Sequence, residues 1–198
     1  RRSEDRILTT HAGSLPRPHA LEALHHRRAR NEPVTPAEFD AAVEAALSEI
    51  IRRQAAAGVD IGNDGEQRRL TFSRYMEERL SGLGGGWRRP PRGDVEDFPF
   101  FKQMNAARQA GAAPESLPQA VAAVRHINAG AAERECADFL AALTATKGSF
   151  VESFHTAPSP GFLASTMQNI HYDTQDAYFD ALGEALRVEY EAIAGHGL

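Results

Sequence analysis

From Thr35 to Gly58 the sequence spells one long amphipathic helix, and the short apolar runs on either side of it constrain the topology of the whole chain. Thr35-Pro36-Ala37-Glu38 supplies an N-cap hydroxyl, a proline at the first helical position and the glutamate of a capping box. Phe39, Val43, Leu47, Ile50 and Ile51 then recur on one face until Gly58 provides the stop. Upstream, Ile7-Leu8-Thr9-Thr10 predicts a strand that runs into His11-Ala12-Gly13-Ser14 before Pro16 and Pro18 stop it. Downstream, Val59 to Asp64 predicts a second strand that ends in the polar turn Asn63-Asp64-Gly65-Glu66-Gln67. Strands joined by a helix must run parallel if they share a sheet, so both polar ends fall on the same side. His11 to Ser14 and Asp64 to Glu66 should therefore converge at the carboxyl ends of two strands, where α/β proteins place their chemistry.

The rest of the chain reads as further α and β segments. His19 to Arg30 predicts a short helix with Leu21 and Leu24 inward and a basic outer face. Its neighbouring His25 and His26 point about 100° apart on a helix, so they do not share a metal and read as solvated. Thr71 to Leu80 predicts a helix, and Ser81 to Asp97, rich in Gly, Pro and Arg, an irregular excursion. Phe98 to Gln109 predicts a helix, Ala110 to Pro118 a linker, and Gln119 to Ile127 a third strand, although its alanines also suit a helix. Cys136, Phe139, Leu140 and Leu143 lie on one face of a helix from Ala131 to Ala145. Ser149 to His155 alternates as a fourth strand ending in Thr156-Ala157-Pro158-Ser159-Pro160-Gly161, a third polar strand end. Asp173 to Ala194 closes the chain as a helix striped by Phe179, Leu182, Leu186, Tyr190 and Ile193. The expectation is an α/β chain, residues 1–198 as the N-terminal half of a TIM (β/α)8 barrel with about four β/α units and the excursion at 81–97.

Charge narrows the function classes. A net charge of −5 gives no bulk attraction to nucleic acid. Residues 1–34 carry seven arginines against four acids, whereas residues 151–198 carry one arginine against seven acids, so the ends differ in sign. One cysteine, Cys136, excludes an internal disulfide and fits a reducing compartment. No run approaches the roughly 20 apolar residues that span a bilayer, and the expected location is cytoplasmic, with no membrane partner.

Three motifs then point to a family. Ile7 to Pro18, Ala57-Gly58-Val59-Asp60-Ile61-Gly62-Asn63-Asp64-Gly65-Glu66-Gln67 and Thr156 to Gly161 together resemble the cobalamin-independent methionine synthases, specifically the short single-barrel homologues of their catalytic domain. The resemblance runs over essentially the whole chain but covers only the N-terminal half of the family's barrel. It implies that Ala12, Gly13 and Ser14 hold an amino-acid substrate and that Glu66 binds its ammonium group, with His11, Asp64 and Ser159 as further substrate-binding residues. The same residues admit local roles, Ser14 capping a turn and Glu66 capping the next helix.

The implied chemistry is methyl transfer from 5-methyltetrahydrofolate to a thiol such as homocysteine, with zinc holding the thiolate. The family's zinc ligands, a His-x-Cys pair, a Glu and a further Cys, belong to the other barrel half, and no metal ligand is assigned in this chain. The expectation is thus a small-molecule thiol or amino-acid substrate, a chain inactive alone, and association with a missing barrel half or a second copy. The alternatives are a related thiol alkyltransferase of the epoxide:coenzyme M transferase type and a non-catalytic amino-acid-binding fragment.

Overall fold

The first extended segment and the start of the second are tied together by one carboxylate. In the computed structural model, which describes residues 3–71, 74–88, 93–109, 116–147 and 150–198, Asp60 accepts hydrogen bonds from Arg6 Nη1 (2.8 Å), Thr9 N (2.8 Å) and Thr9 Oγ1 (3.1 Å). The amides of Asp60 and Ile61 return to the Thr9 carbonyl, both at 3.1 Å. The expected first strand, Ile7 to Thr10, narrows to a single parallel bridge from Thr10 to Ile61. These side-chain bonds hold in register what a longer ladder would otherwise fix.

The helix between them forms as the periodicity requires. Helix α2, Pro36–Ala56, is capped by Thr35, whose hydroxyl accepts from Glu38 N at 3.2 Å. The Glu38 carboxylate pairs with Arg27 at 2.9 Å. Phe39, Val43, Leu47, Ile50 and Ile51 are all buried, and Gly58 turns the chain out at φ +77°. Most of this stripe packs on Leu21 and Leu24 of helix α1, His19–Ala29, and on Phe139 and Ala142 of a later helix, forming one of two apolar clusters. Each large apolar side chain so covered contributes about 1.5–3 kcal/mol.

Strand β1, Ile61–Gly62, leads into a 3-10 turn at Arg74–Glu78 where a longer helix from Thr71 was expected; residues 72 and 73 lie outside the described set. The irregular excursion is corrected most. Leu80–Trp87 forms a full strand, β2, followed by the short helix α3, Gly93–Glu96, and then α4, Pro99–Gln109. Strand β2 pairs antiparallel with β3, Leu117–His126. Its glycines make that pairing feasible: at Gly82, φ +80°, a Cβ would lie 2.5 Å from the Ala123 carbonyl oxygen. Of the expected linker, residues 110–115 lie outside the described set, and Leu117 and Pro118 already belong to β3.

Helix α5, Ala129–Ala145, then returns to β4, Glu152–Ser153, which pairs parallel with β1. Next come α6, Pro160–Thr166, β5, Gln168–Asn169, parallel to β3, and α7, Gln175–Gly195. Among the described residues the parallel arrangement is thus Thr10, β1, β4, with β2-β3-β5 as a separate sheet. The expected count of about four β/α units is corrected accordingly, because among the described residues Gln119 to His126, antiparallel to β2 and parallel to β5, lies in a sheet apart from Thr10, β1 and β4.

Helix α7 buries Leu182, Leu186 and Ile193 as expected, but Phe179 and Tyr190 stay exposed while Tyr178, Ala185 and Glu189 turn inward. With Tyr75, Met76, Leu80, Val124, Leu163 and Met167 it makes the second apolar cluster. No helix among the described residues is long and apolar enough to cross a membrane.

Candidate functional site

The loop after β1 is built from side-chain amides. Gln54, buried on α2, grips Asn63 from both sides, Nε2 donating to its carbonyl at 2.7 Å and Oε1 accepting its amide at 3.2 Å. Asn63 Oδ1 accepts from Gly65 N at 2.8 Å, and its Nδ2 donates to the His11 carbonyl. Asp64 Oδ1 takes the Glu66 amide at 3.1 Å. These two Asx-type turns in succession swing the chain through Gly65, φ +59°, into Glu66, φ +56°. A non-glycine residue in the left-handed region carries strain, and the surrounding bonds hold it there. Arg17 is one of the holders: its Nη2 donates to the carbonyls of Glu66 at 2.9 Å and Arg69 at 2.5 Å.

Glu66 thereby enters the space facing the first loop. Ser14 Oγ donates to Glu66 Oε2 at 2.5 Å, and Thr156 Oγ1, beyond β4, reaches Glu66 Oε1 at 3.4 Å. Leu15 N bonds to the Gly65 carbonyl at 3.0 Å and Gln67 Nε2 to the Leu15 carbonyl at 3.1 Å, zipping the two loops together. The first and second polar strand ends therefore converge, and the third joins them through Thr156. The Glu66 carboxylate is buried at 3% exposure, its partners are two neutral hydroxyls, and no ion pair to it occurs among the described residues.

The other residues singled out in the sequence divide. His11 is half-buried, with its carbonyl engaged and its Nε2 enclosed without a partner. Ala12 is exposed, and Gly13, at φ +95°, has open space where a Cβ would stand. Asp64 is buried, with Oδ2 at 3.7 Å from His155 Nδ1. Ser159 is placed as the N-cap of α6, its hydroxyl accepting from Phe162 N at 3.1 Å, the local role such a residue most often has. His25 is corrected: instead of being solvated it is buried at 4% exposure, Nε2 at 3.0 Å from the Gln67 carbonyl, and burial lowers its pKa.

Behind Glu66 lies a group of buried charges that local sequence gave no sign of. Arg69, at 1% exposure, donates Nε to Glu135 Oε2 at 3.0 Å and Nη1 to the Thr156 carbonyl at 2.6 Å, with Nη2 at 2.7 Å from His155 Nε2. Arg79 joins Glu135 at 2.5 Å to both oxygens of Glu189, at 2.8 and 2.6 Å, and His126 Nε2 lies 2.9 Å from Glu189 Oε1. Tyr75 sits between the two guanidiniums, 4.3 and 4.6 Å from its ring centre. Burial alone would raise the Glu135 carboxyl, but Arg69, His155 and Arg79 overcome it and hold the pKa at about 2. Arg69 thus carries support from this group to Thr156, and Thr156 meets Glu66.

Metal ligation finds no such convergence. Among the described residues no group of three His, Cys, Asp or Glu side chains could hold a metal ion. Cys136 is wholly buried in helix α5, and its thiol is pushed up to about 11 by burial and by Glu135. The zinc implied by the resemblance does not fit the described residues.

With this geometry in place, comparison with solved structures gives a likeness of fold. A B12-independent methionine synthase from Shewanella sp. W3-18-1, solved in complex with selenomethionine, superposes with a TM-score of 0.65 at 22% identity over 96% of this chain. The likeness is one of fold. The chain spans about half of that protein, 49% of its length. A vitamin-B12-independent methionine synthase structure from Listeria monocytogenes aligns more loosely, with a TM-score of 0.47 and 18% identity over 95% of this chain and 50% of the other. No protein-family model matches the sequence, and no curated protein matches it.

Proposed function

We propose that the chain supplies the amino-acid-binding half of a methionine-synthase-like barrel, with Glu66 receiving the ammonium group of a thiol or thioether amino acid and the Gly13-Ser14 loop facing its carboxylate. The single observation that carries this reading is the buried Glu66 carboxylate, hydrogen-bonded by two hydroxyls and in no ion pair among the described residues. An ionised carboxylate out of water is costly unless paired, and a charge-assisted bond to an ammonium is the natural complement. The selenomethionine in the Shewanella structure is a ligand of this chemical kind, an amino acid carrying a soft chalcogen.

On this reading the chain's own residues bind and orient. Ser14 and Thr156 fix the two Glu66 oxygens, Arg17 fixes its backbone, and Arg69 fixes Thr156. The methyl donor expected from the resemblance, 5-methyltetrahydrofolate, and the zinc belong to the completed barrel. We infer that further strands continue the ladder beyond β4, from a barrel half or a second copy. A non-catalytic amino-acid-binding role stands as the second reading, favoured by a site whose described parts are all binding groups.

Calorimetric titration tests the proposal with L-methionine, L-homocysteine and N-acetyl-L-methionine. The free amino acids should bind and the acetylated one should not, and Glu66→Gln should abolish the difference. Equal binding of L-methionine and its acetylated form by the unaltered chain would overturn the assignment.

A further inference from the structure

A cleft of about 380 Å³ opens between α1, the turn at Arg74–Glu78 and the start of α5, and neither Ser14 nor Glu66 lines it. It approaches the lower end of small-ligand pocket sizes. Arginines enter it from three directions: Arg28 from α1, Arg68, Arg74 and Arg79 from the segment after β1, and Arg134 from α5. The carboxylates on its wall are Glu77, Glu78 and Glu135.

These charges are unequally committed. Arg79 and Glu135 are held in the buried group already described. Arg68 pairs with Asp40 at 2.8 Å and Asp138 at 2.6 Å, yet its Nε is buried without a partner. Arg28 and Arg74 meet Glu78 and Glu77 at 2.9 and 3.2 Å in partly exposed pairs, of the kind that contribute little and exchange readily. Arg134 is exposed and has no ion-pair or hydrogen-bond partner among the described residues.

Two further groups border the same space. Tyr75 lines the cleft at 6% exposure, and its hydroxyl is buried with no hydrogen-bond partner. An unsatisfied buried hydroxyl costs free energy that a ligand acceptor would recover. Burial raises the phenol above its ordinary pKa, opposed by Arg69, so it stays a donor at neutral pH. Helix α5, 17 residues long, starts at the cleft with Asn128 as N-cap, and no side chain caps its first amides. Helix N-termini favour anions on both dipole and hydrogen-bonding grounds.

We infer that this cleft is a binding site for the dianionic phosphate group of a small phosphorylated molecule. Guanidiniums from three sides suit a tetrahedral anion better than a planar carboxylate, which one arginine fork would satisfy. The anion takes Arg28 and Arg74 from their surface glutamates, joins them to Arg134, and gives the Tyr75 hydroxyl its acceptor. The inference does not depend on the amino-acid site.

Titration of the whole chain with inorganic phosphate at constant ionic strength tests it, read by calorimetry. One saturable site should appear, weakened about tenfold or more both by Arg134→Ala and by Tyr75→Phe. Arg134 is exposed, so its replacement leaves the fold intact whatever happens at Tyr75. Glu78→Gln, which releases Arg28, should tighten binding. Absence of saturable binding, or binding equally tight in the Arg134 and Tyr75 variants, would overturn the site.

Discussion

Ser14 and Glu66, 52 residues apart, meet through one hydrogen bond in which the serine hydroxyl donates to the glutamate carboxylate at 2.5 Å. That bond joins the loops after two parallel segments and places a buried carboxyl group beside the Gly13 turn. Replacing Ser14 with Ala should cost about 1–2 kcal/mol in urea unfolding, since bonds to charged groups lie at the upper end of the usual range and Ser14 itself is exposed. It should also weaken L-methionine binding without restoring affinity for the acetylated amino acid.

Glu135 stands between Arg69 and Arg79, and its neutralisation leaves both guanidiniums short of a partner. Glu135→Gln should destabilise the chain by about 3–5 kcal/mol, the cost of breaking a buried ion pair from one side. Denaturant titration with circular dichroism measures this, and a loss below about 1 kcal/mol would show that the group is not structural.

Acid should act through the same carboxyl. Its pKa is depressed from 4.5 to about 2 in the folded chain, so the stability it contributes is fully present above pH 4.5. That contribution fades as pH falls from there towards 2. Unfolding free energies of the unaltered chain should decline over this window, and Glu135→Gln should show a shallower slope.

Gly62 offers a steric prediction. A Cβ at this position would lie 2.3 Å from the Phe150 ring, inside any tolerable contact. Gly62→Ala should therefore cost about 1–3 kcal/mol by overpacking, and pairing it with Phe150→Leu should recover part of the loss. A thermal melt of both variants against the unaltered chain gives the answer.

Cys136 should be silent in the folded state. Its thiol is wholly enclosed and pushed up to about 11, first by burial and then by the charge of Glu135. Ellman's reagent should register no reactive thiol in native buffer and one in guanidinium chloride, and rapid native labelling would show that α5 opens locally.

What the sequence made legible was whatever one element encodes by itself. Helix α2 was readable because its cap, stripe and glycine stop all lie within one segment, and the meeting of Ser14 with Glu66 followed from its connectivity. Strand β2 was not, because its glycines read as looseness when their function is to let the β3 backbone approach. Arg69 and Glu135 were hidden because their pairing spans 66 residues and neither has a local signature. His25 was misread for the same reason, since the carbonyl that pulls it inward belongs to Gln67.

The two apolar clusters share no residue: one gathers α1, α2 and α5, the other α7, β2, β3 and the turn at Tyr75. Glu135 of α5 and Glu189 of α7 are linked between them by Arg79. The molecule is therefore riveted along this line by charge as well as by the direct packing of α5 on α7, and the rivet differs from oil-like packing in how it fails. Cooling weakens apolar contact but leaves ion pairs largely untouched, whereas acid removes the carboxylates and leaves the apolar surfaces in place. Near its acid limit the chain should come apart along this line first, as two still-packed bodies that have lost their common register.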